Sequence, residues 1–261
     1  MNRNVPRKAL AITVLIATLS LNACAGLFGL GSDSWQEEVL LHDGQKIIVE
    51  RSQTYGGQHE IGQSSPVREH TIRFQLLQSA QTVTWKSDYG PELGRTNFNV
   101  LALHIQDDSP YLVAEPNLCL AYNKWGRPNP PYVVFKYTGG SWQRINLAEL
   151  PTEFKHINLI VNNGLTDAIE RAARDKGYVS AERVESFNHS LTQPEYKAIL
   201  RQGVENPEGS SCIKSDFYGK AGWLSPDWFT RQPSLEACLQ FCGRREIEAD
   251  ICPCKTIFLR K

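Results

Sequence analysis

The sequence lacks three features that would each assign it to a broad class of protein. Its most apolar stretch, residues 9–21, is shorter than the roughly 20 residues that a membrane-spanning helix needs. Its 28 basic and 28 acidic residues cancel, which argues against a nucleic-acid binder or a polybasic lipid-surface binder. We find no internal repeat of fixed period, so no solenoid is indicated. The hydrophobic content of 41% is ordinary for a globular protein.

The sequence also lacks the short motifs of common enzyme classes. It has no credible match to G-x-S-x-G, to S-x-x-K with its partner motifs, to H-E-x-x-H or to a glycine-rich phosphate loop. The neighbouring carboxylates Glu37 and Glu38 lie on a predicted strand and therefore point to opposite faces. We accordingly assign no catalytic residue, no metal ligand and no cofactor.

The first 24 residues have the order of a secretory signal. A basic head precedes the apolar stretch 9–21, and the small residue Ala23 directly precedes Cys24. The segment Leu21-Asn22-Ala23-Cys24 resembles the lipobox of bacterial membrane lipoprotein precursors. This resemblance implies cleavage after Ala23, a diacylglyceryl group on the Cys24 thiol, and usually an acylated amine. The alternatives are an ordinary signal peptide with an incidental cysteine and an uncleaved anchor.

The resemblance also implies a location. Two or more acyl chains on Cys24 would hold the protein stably on a bilayer without a spanning helix. In the sorting rule of enteric bacteria, Asp after the cysteine retains a lipoprotein at the inner membrane, and this chain has Ala25 there. An outer-membrane anchor with the body in the periplasm is therefore expected, with the inner membrane as the alternative. Removal of residues 1–23 would leave 238 residues with 25 basic and 28 acidic side chains, a net charge of −3.

Six further cysteines predict disulfide bonds, because the bacterial envelope is oxidising and the count is even. They are Cys119, Cys212, Cys238, Cys242, Cys252 and Cys254. Six cysteines allow 15 connectivities, and the sequence does not choose among them. A bond between Cys252 and Cys254 would be strained across Pro253, so each is expected to pair with another cysteine. The pairing that we favour is Cys119 with Cys212, and Cys238 and Cys242 with Cys252 and Cys254. A four-thiolate zinc site is the alternative, but the C-x3-C and C-x-C spacings do not match a zinc ribbon. A redox pair is disfavoured because C-x-x-C is absent.

The pattern of apolar residues predicts an α+β protein. Residues 1–23 form the signal and 24–34 a lipidated tether, and 35–162 form a β-rich domain that is either a sandwich or an irregular barrel. Residues 163–261 form a small helical region stapled by disulfides. The stretch 98–106 is apolar on both faces, with Phe98, Val100 and Ala102 opposite Leu101, Leu103 and Ile105, which predicts a central strand. The segments WQEEVLL, KIIVER, HTIRFQLL and TVTWK are interpreted as strands, and Asp43-Gly44 and Gly139-Gly140 predict hairpin turns. The segment PEYKAILRQ is interpreted as a helix and TIFLRK as a strand, and Ser234 is expected to cap a helix over LEACLQFC.

Two groups of aromatic side chains are the positive indication of a binding site. Tyr122, Trp125 and Tyr132 accompany a proline cluster beside Cys119, and Trp223 and Trp228 flank Pro226. Aromatic residues held by proline can form a platform for a glycan or a partner protein, although they can equally cover a sheet. The sequence thus predicts a binding or structural role with an unidentified envelope protein or glycan as partner. The alternatives are a periplasmic hydrolase around His59, Glu60 or His104, and an accessory subunit of an envelope complex.

Overall fold

The computed structural model describes residues 31–161, 164, 166–207 and 209–259. The architecture is α+β, as expected: antiparallel sheets make up the N-terminal part, and a small helical region with two disulfide bonds ends the chain. Residues 24–30 of the predicted tether, which include Cys24, lie outside the described residues.

The first sheet contains four strands in sequential order, all antiparallel. They are β1 (Ser32–Leu40), β2 (Lys46–Tyr55), β3 (Val67–Gln75) and β4 (Thr82–Ser87). The β1–β2 hairpin turns at Asp43-Gly44 as predicted, because Gly44 has a φ of +86° and Asp43 accepts a hydrogen bond from the backbone N–H of Gln45. Strand β1 begins at Ser32, opposite Thr54, so the predicted tether ends earlier than residue 34.

The second sheet has the order β10-β9-β8-β7. A two-stranded ribbon, β5 (Tyr89–Gly90) and β6 (Arg95–Thr96), leads into it. The sheet consists of β7 (Phe98–Gln106), β8 (Ser109–Pro116), β9 (Val133–Thr138) and β10 (Ser141–Ile145), with α1 (Leu118–Lys124) inserted after β8. Side chains of both sheets form one core, including Val49, Ile72 and Trp85 from the first and Leu103 and Leu112 from the second. Of the two architectures expected, the described residues adopt the sandwich.

Strand β7 is buried on both faces, but the prediction that it is central was wrong. It is the last strand of its sheet, and a bulge between Val100 and Ala102 shifts its register. Because of this bulge Leu103 and Ile105 join Val100 in the core between the sheets, whereas Leu101 and Ala102 face the opposite way. The predicted division of the two faces therefore fails after Val100.

The outer edges of β1 and β7 are covered by chain from beyond the sandwich. Val179 pairs with β1 through hydrogen bonds to Gln36 and Glu38. The Asn158 side chain accepts from the N–H of Leu103 at 2.9 Å and donates to the Leu103 carbonyl at 2.7 Å, so it takes the place of a neighbouring strand. It also donates to the carbonyl of Leu40 at 2.9 Å and thereby joins the two sheets.

The helical half of the chain has two parts, of which the first packs against the sandwich and the second forms a core of its own. Helices α2 (Thr166–Ala173) and α3 (Ala181–Asn188) contact β1, and their apolar side chains share a core with Trp35. The predicted helix from Pro194 is a single 3-10 turn, Pro194–Tyr196, whose Tyr196 packs against the second sheet. Residues before 200 are therefore part of the layer around the sandwich.

The final part, from residue 216 onward, has a small core of its own. It contains β11 (Asp216–Phe217), β12 (Trp223–Leu224), α4 (Asp227–Thr230), α5 (Leu235–Arg244) and α6 (Cys254–Leu259). Ser234 caps α5 as predicted, since its hydroxyl accepts from the N–H of Ala237. The TIFLRK segment was expected to be a strand, but Thr256–Leu259 belong to α6, because Cys254 is bonded to Cys238 on α5.

Candidate functional site

A disulfide bond between Cys119 and Cys212 connects α1 to the segment that leads into the C-terminal helical region. The two cysteines are 93 positions apart in the chain. Cys119 is exposed to solvent, whereas Cys212 is buried. Tyr122, which the sequence suggested for binding beside Cys119, lies on α1, a short helix without a side-chain cap at Asn117.

Three exposed apolar side chains lie on the two segments that this bond joins. Leu118 and Ile213 are each next to a bonded cysteine and are 60% and 77% exposed. Phe217 is 44% exposed and lies on β11, which contacts α1. We call Leu118, Cys119, Ile213 and Phe217 the disulfide patch. Exposed apolar side chains that cluster on one surface are typical of contact sites, whereas single ones are not informative.

Hydrogen bonds hold the two chain segments of the disulfide patch in place. Asn123 of α1 donates to the carbonyl of Ile213 at 2.8 Å and to the hydroxyl of Ser215 at 2.9 Å. Arg127 donates to the Asn123 side-chain oxygen at 2.8 Å, which fixes the orientation of that amide. The indole N–H of Trp223, whose ring contacts Phe217, donates to the carbonyl of Glu92 at 2.8 Å. The disulfide patch is therefore a fixed surface.

Leu118 combines exposure with an unfavourable backbone. Its φ is +66°, in the left-handed region that a branched side chain rarely adopts. A leucine there costs free energy relative to glycine, and its side chain gains little burial in return. Backbone strain of this kind is concentrated at functional sites. Within the disulfide patch, Leu118 is therefore the residue whose presence is hardest to explain by a contribution to folding stability.

The structure separates the five aromatic residues that the sequence suggested for binding. Tyr122 and Tyr132 are buried, and the half-buried Trp125 packs against Phe98 of the sandwich core, so these three side chains are not exposed together as a platform. Trp223 is half-buried under Phe217, and Trp228 is exposed, with Arg245 placed 5.6 Å from its ring centre. Sequence reasoning missed Leu118, Ile213 and Phe217, since the two segments that carry them are far apart in the chain and are joined only after folding, by the disulfide bond and by hydrogen bonds from Asn123.

The four cysteines of the C-terminal helical region form two bonds, Cys238–Cys254 and Cys242–Cys252. The sequence analysis favoured the Cys119–Cys212 bond and the pairing of Cys238 and Cys242 with Cys252 and Cys254, but it left the individual bonds of the last four cysteines open. The sulfur atoms of Cys242 and Cys254 lie 3.7 Å apart, so the two bonds are in contact. Within the described residues, Cys242, Cys252 and Cys254 are the one cluster with metal-ligand spacing, but each sulfur is already covalently bonded.

The residues suggested for a hydrolase do not share a pocket. His59 and Glu60 are exposed in the loop after β2. His104 is buried on β7, where its ring stacks on Phe154 at 4.7 Å and its Nε2 bonds to the carbonyl of His156. Burial lowers the pKa of His104 to about 4, which keeps the ring neutral at physiological pH.

A cleft of about 340 Å³ lies between α3 and the segment around residue 157. Its lining includes His156, His189 and Glu185. The hydrogen bonds described for the two histidines involve their backbone, because His156 and His189 accept through their carbonyls from His104 and Lys197. In the ion pairs described for the chain, the cations are lysines and arginines. Among the described residues, the histidine and carboxylate side chains of this cleft therefore form no ion pair with one another.

Comparison with known proteins identifies no relative. The chain matches no protein-family profile, no curated protein and no solved structure. Of the helices that the structure describes, none has the length and apolar character needed to cross a bilayer.

Proposed function

We propose that this protein is a lipid-anchored component of the bacterial envelope whose periplasmic body binds a partner protein through the disulfide patch. The observation that carries the binding role is the cluster of three exposed apolar side chains around the Cys119–Cys212 bond. Since hydrogen bonds from Asn123 and Trp223 already fix this surface, binding would require little ordering of flexible chain.

The three disulfide bonds support an extracytoplasmic location, because such bonds persist in oxidising compartments. The anchoring step rests on the resemblance of Leu21-Asn22-Ala23-Cys24 to a lipobox. In this proposal the acyl chains on Cys24 attach the protein to the outer membrane. Strand β1 begins only eight residues after Cys24, at Ser32, so the body would stay close to the bilayer surface.

Labelling with a radioactive fatty acid tests the anchor. The wild-type chain should incorporate palmitate and sediment with membranes, and globomycin should block its cleavage. Cys24→Ser should remain unlabelled, whereas Cys119→Ser should be labelled like the wild type. Incorporation of palmitate by Cys24→Ser at the wild-type level would refute lipid attachment at this residue.

Site-specific photo-crosslinking tests the binding role. A photoreactive amino acid at position 213 should give a discrete crosslinked product in intact cells. Position 48 is the matched control, because Ile48 is also an exposed isoleucine but lies on the first sheet. Phe217→Ser should reduce the product formed from position 213 without affecting protein level. Equal products from both positions, or none from position 213, would contradict a contact at the disulfide patch.

A further inference from the structure

The three disulfide bonds differ in how accessible their sulfur atoms are. Both cysteines of the Cys238–Cys254 bond are fully buried, and Cys242 is 3% exposed, with its partner Cys252 half-buried. Cys119, in contrast, is exposed to solvent. Thiol–disulfide exchange requires a thiolate to reach one sulfur of the bond, so access decides which bond reacts. Among the six bonded cysteines that the structure describes, Cys119 is therefore the most exposed residue.

We propose that the disulfide patch is the docking surface of a dithiol–disulfide oxidoreductase of the thioredoxin-like class, which exchanges with the Cys119–Cys212 bond. This inference rests on the binding role proposed above and names the partner's chemistry. Such an enzyme presents a reactive C-x-x-C thiolate on its surface, and it must place that thiolate at an exposed sulfur. Leu118 and Ile213 lie directly beside the two bonded cysteines, so an apolar contact made there brings the thiolate to Cys119.

The reaction is a two-electron exchange. The partner's thiolate attacks Sγ of Cys119, the Cys119–Cys212 bond breaks, and Cys212 leaves as a thiolate that then takes up a proton. The partner's second thiolate attacks its own sulfur in the mixed disulfide and releases Cys119. The partner ends as a disulfide and this protein as a dithiol, and the reverse sequence forms the bond.

The bond also controls how the C-terminal helical region is held. It is the covalent connection between α1 and the segment before β11, across 93 positions of the chain. After reduction, this region would still be attached by non-covalent contacts, which include the hydrogen bonds from Asn123, the bond from Arg127 to Ser210 and the bond from Trp223 to Glu92. Exchange at Cys119 would thus change the strength of the attachment without affecting the two bonds inside the region.

A trapping experiment on the full-length, membrane-extracted protein tests this proposal. The probe is a thioredoxin-like oxidoreductase whose second cysteine is replaced by serine, so that the mixed disulfide cannot resolve. Peptide mapping should find the probe on Cys119. Ile213→Ser together with Phe217→Ser should slow trapping at least tenfold, while Ile48→Ser should trap at the wild-type rate. Reduction by a small phosphine should be equally fast in all three proteins, because it needs no apolar docking.

Several outcomes would overturn the proposal. These are no mixed disulfide, a mixed disulfide at Cys252, or patch variants that trap as fast as the wild type. Failure here is distinguishable from failure of the binding role, because Cys119→Ser/Cys212→Ser can be crosslinked from position 213. If that variant keeps its crosslinked partner while trapping fails, the binding role stands and the oxidoreductase is not the partner.

Discussion

Arg51 and Glu37 form an ion pair that the sandwich encloses completely. The Nη1 of Arg51 lies 2.8 Å from Oε1 of Glu37, and both side chains have no exposed surface. The indole N–H of Trp35 donates to the other carboxylate oxygen at 2.8 Å, and the Arg51 guanidinium lies 5.1 Å from the centre of the Trp35 ring. These contacts tie β1 to β2 at the end of the sandwich where apolar side chains give way to polar ones.

Removing one partner of the Arg51–Glu37 ion pair should strongly reduce the stability of the fold. Arg51→Met leaves the Glu37 carboxylate buried without its cation, and we expect a loss of about 3–5 kcal/mol in the free energy of unfolding. The double variant Glu37→Gln/Arg51→Met removes both charges and keeps an acceptor for Trp35, so it should lose less than Arg51→Met alone. Urea unfolding of the single and double variants measures both values. A double variant that is less stable than Arg51→Met would contradict this account.

Stability should fall in mild acid because of His104. Its pKa is lowered to about 4 in the folded state, against 6.5 for an ordinary histidine. Between these values the unfolded chain binds a proton that the folded chain does not, so stability is lost as pH falls from 6.5 toward 4. The contribution is at most about 1.4 kcal/mol per pH unit.

Substitution of His104 isolates this contribution. His104→Gln keeps an N–H donor for the His156 carbonyl but cannot titrate, and it should show a shallower loss of stability from pH 6.5 to pH 4 in urea titrations. Part of the slope should remain, because burial and the neighbouring Arg51 lower the pKa of His70 to about 3. His59→Gln, at an exposed position, is the matched control. An unchanged slope in His104→Gln would disprove the assignment.

The disulfide bonds should stabilise the fold according to the loops that they close. The Cys119–Cys212 bond spans 93 positions and the Cys242–Cys252 bond spans 10. The chain-entropy model gives about 4.7 kcal/mol for the long loop and about 2.7 kcal/mol for the short one. Thermal unfolding of Cys119→Ser/Cys212→Ser and Cys242→Ser/Cys252→Ser should follow this order. The reverse order would show that packing within the helical region outweighs chain entropy.

Leu118 should be replaceable at a gain in stability and a loss in binding. Leu118→Gly relieves the strain of a φ of +66°, and we expect about 1 kcal/mol of added stability. The same change removes an apolar contact from the disulfide patch, so crosslinking from position 213 should decrease. Leu77→Gly is the control, because Leu77 is also exposed but is not among the residues with positive φ, and it should lose stability. A less stable Leu118→Gly would mean that the side chain serves folding.

The pattern of neighbouring residues in the sequence was sufficient to predict many strands and turns of the β-rich half. The alternation of apolar residues predicted β3 and β4, and Asp43-Gly44 and Gly139-Gly140 predicted two hairpins, because strand period and turn conformation are properties of neighbouring residues. The bulge after Val100 was not predictable in this way. It depends on the partner strand β8, which has one residue fewer opposite it.

The sequence by itself determined the α+β composition, the hairpins and the presence of an even set of cysteines suited to disulfides. Only the tertiary structure decided that Tyr122 and Tyr132 are buried, that β7 lies at a sheet edge covered by Asn158, and that the exposed Leu118 and Ile213 lie on segments joined by a disulfide bond. The reason is the range of the interactions involved. Strands and turns follow from residues a few positions apart, whereas burial and the disulfide patch depend on residues that are far apart in the chain and meet only after folding.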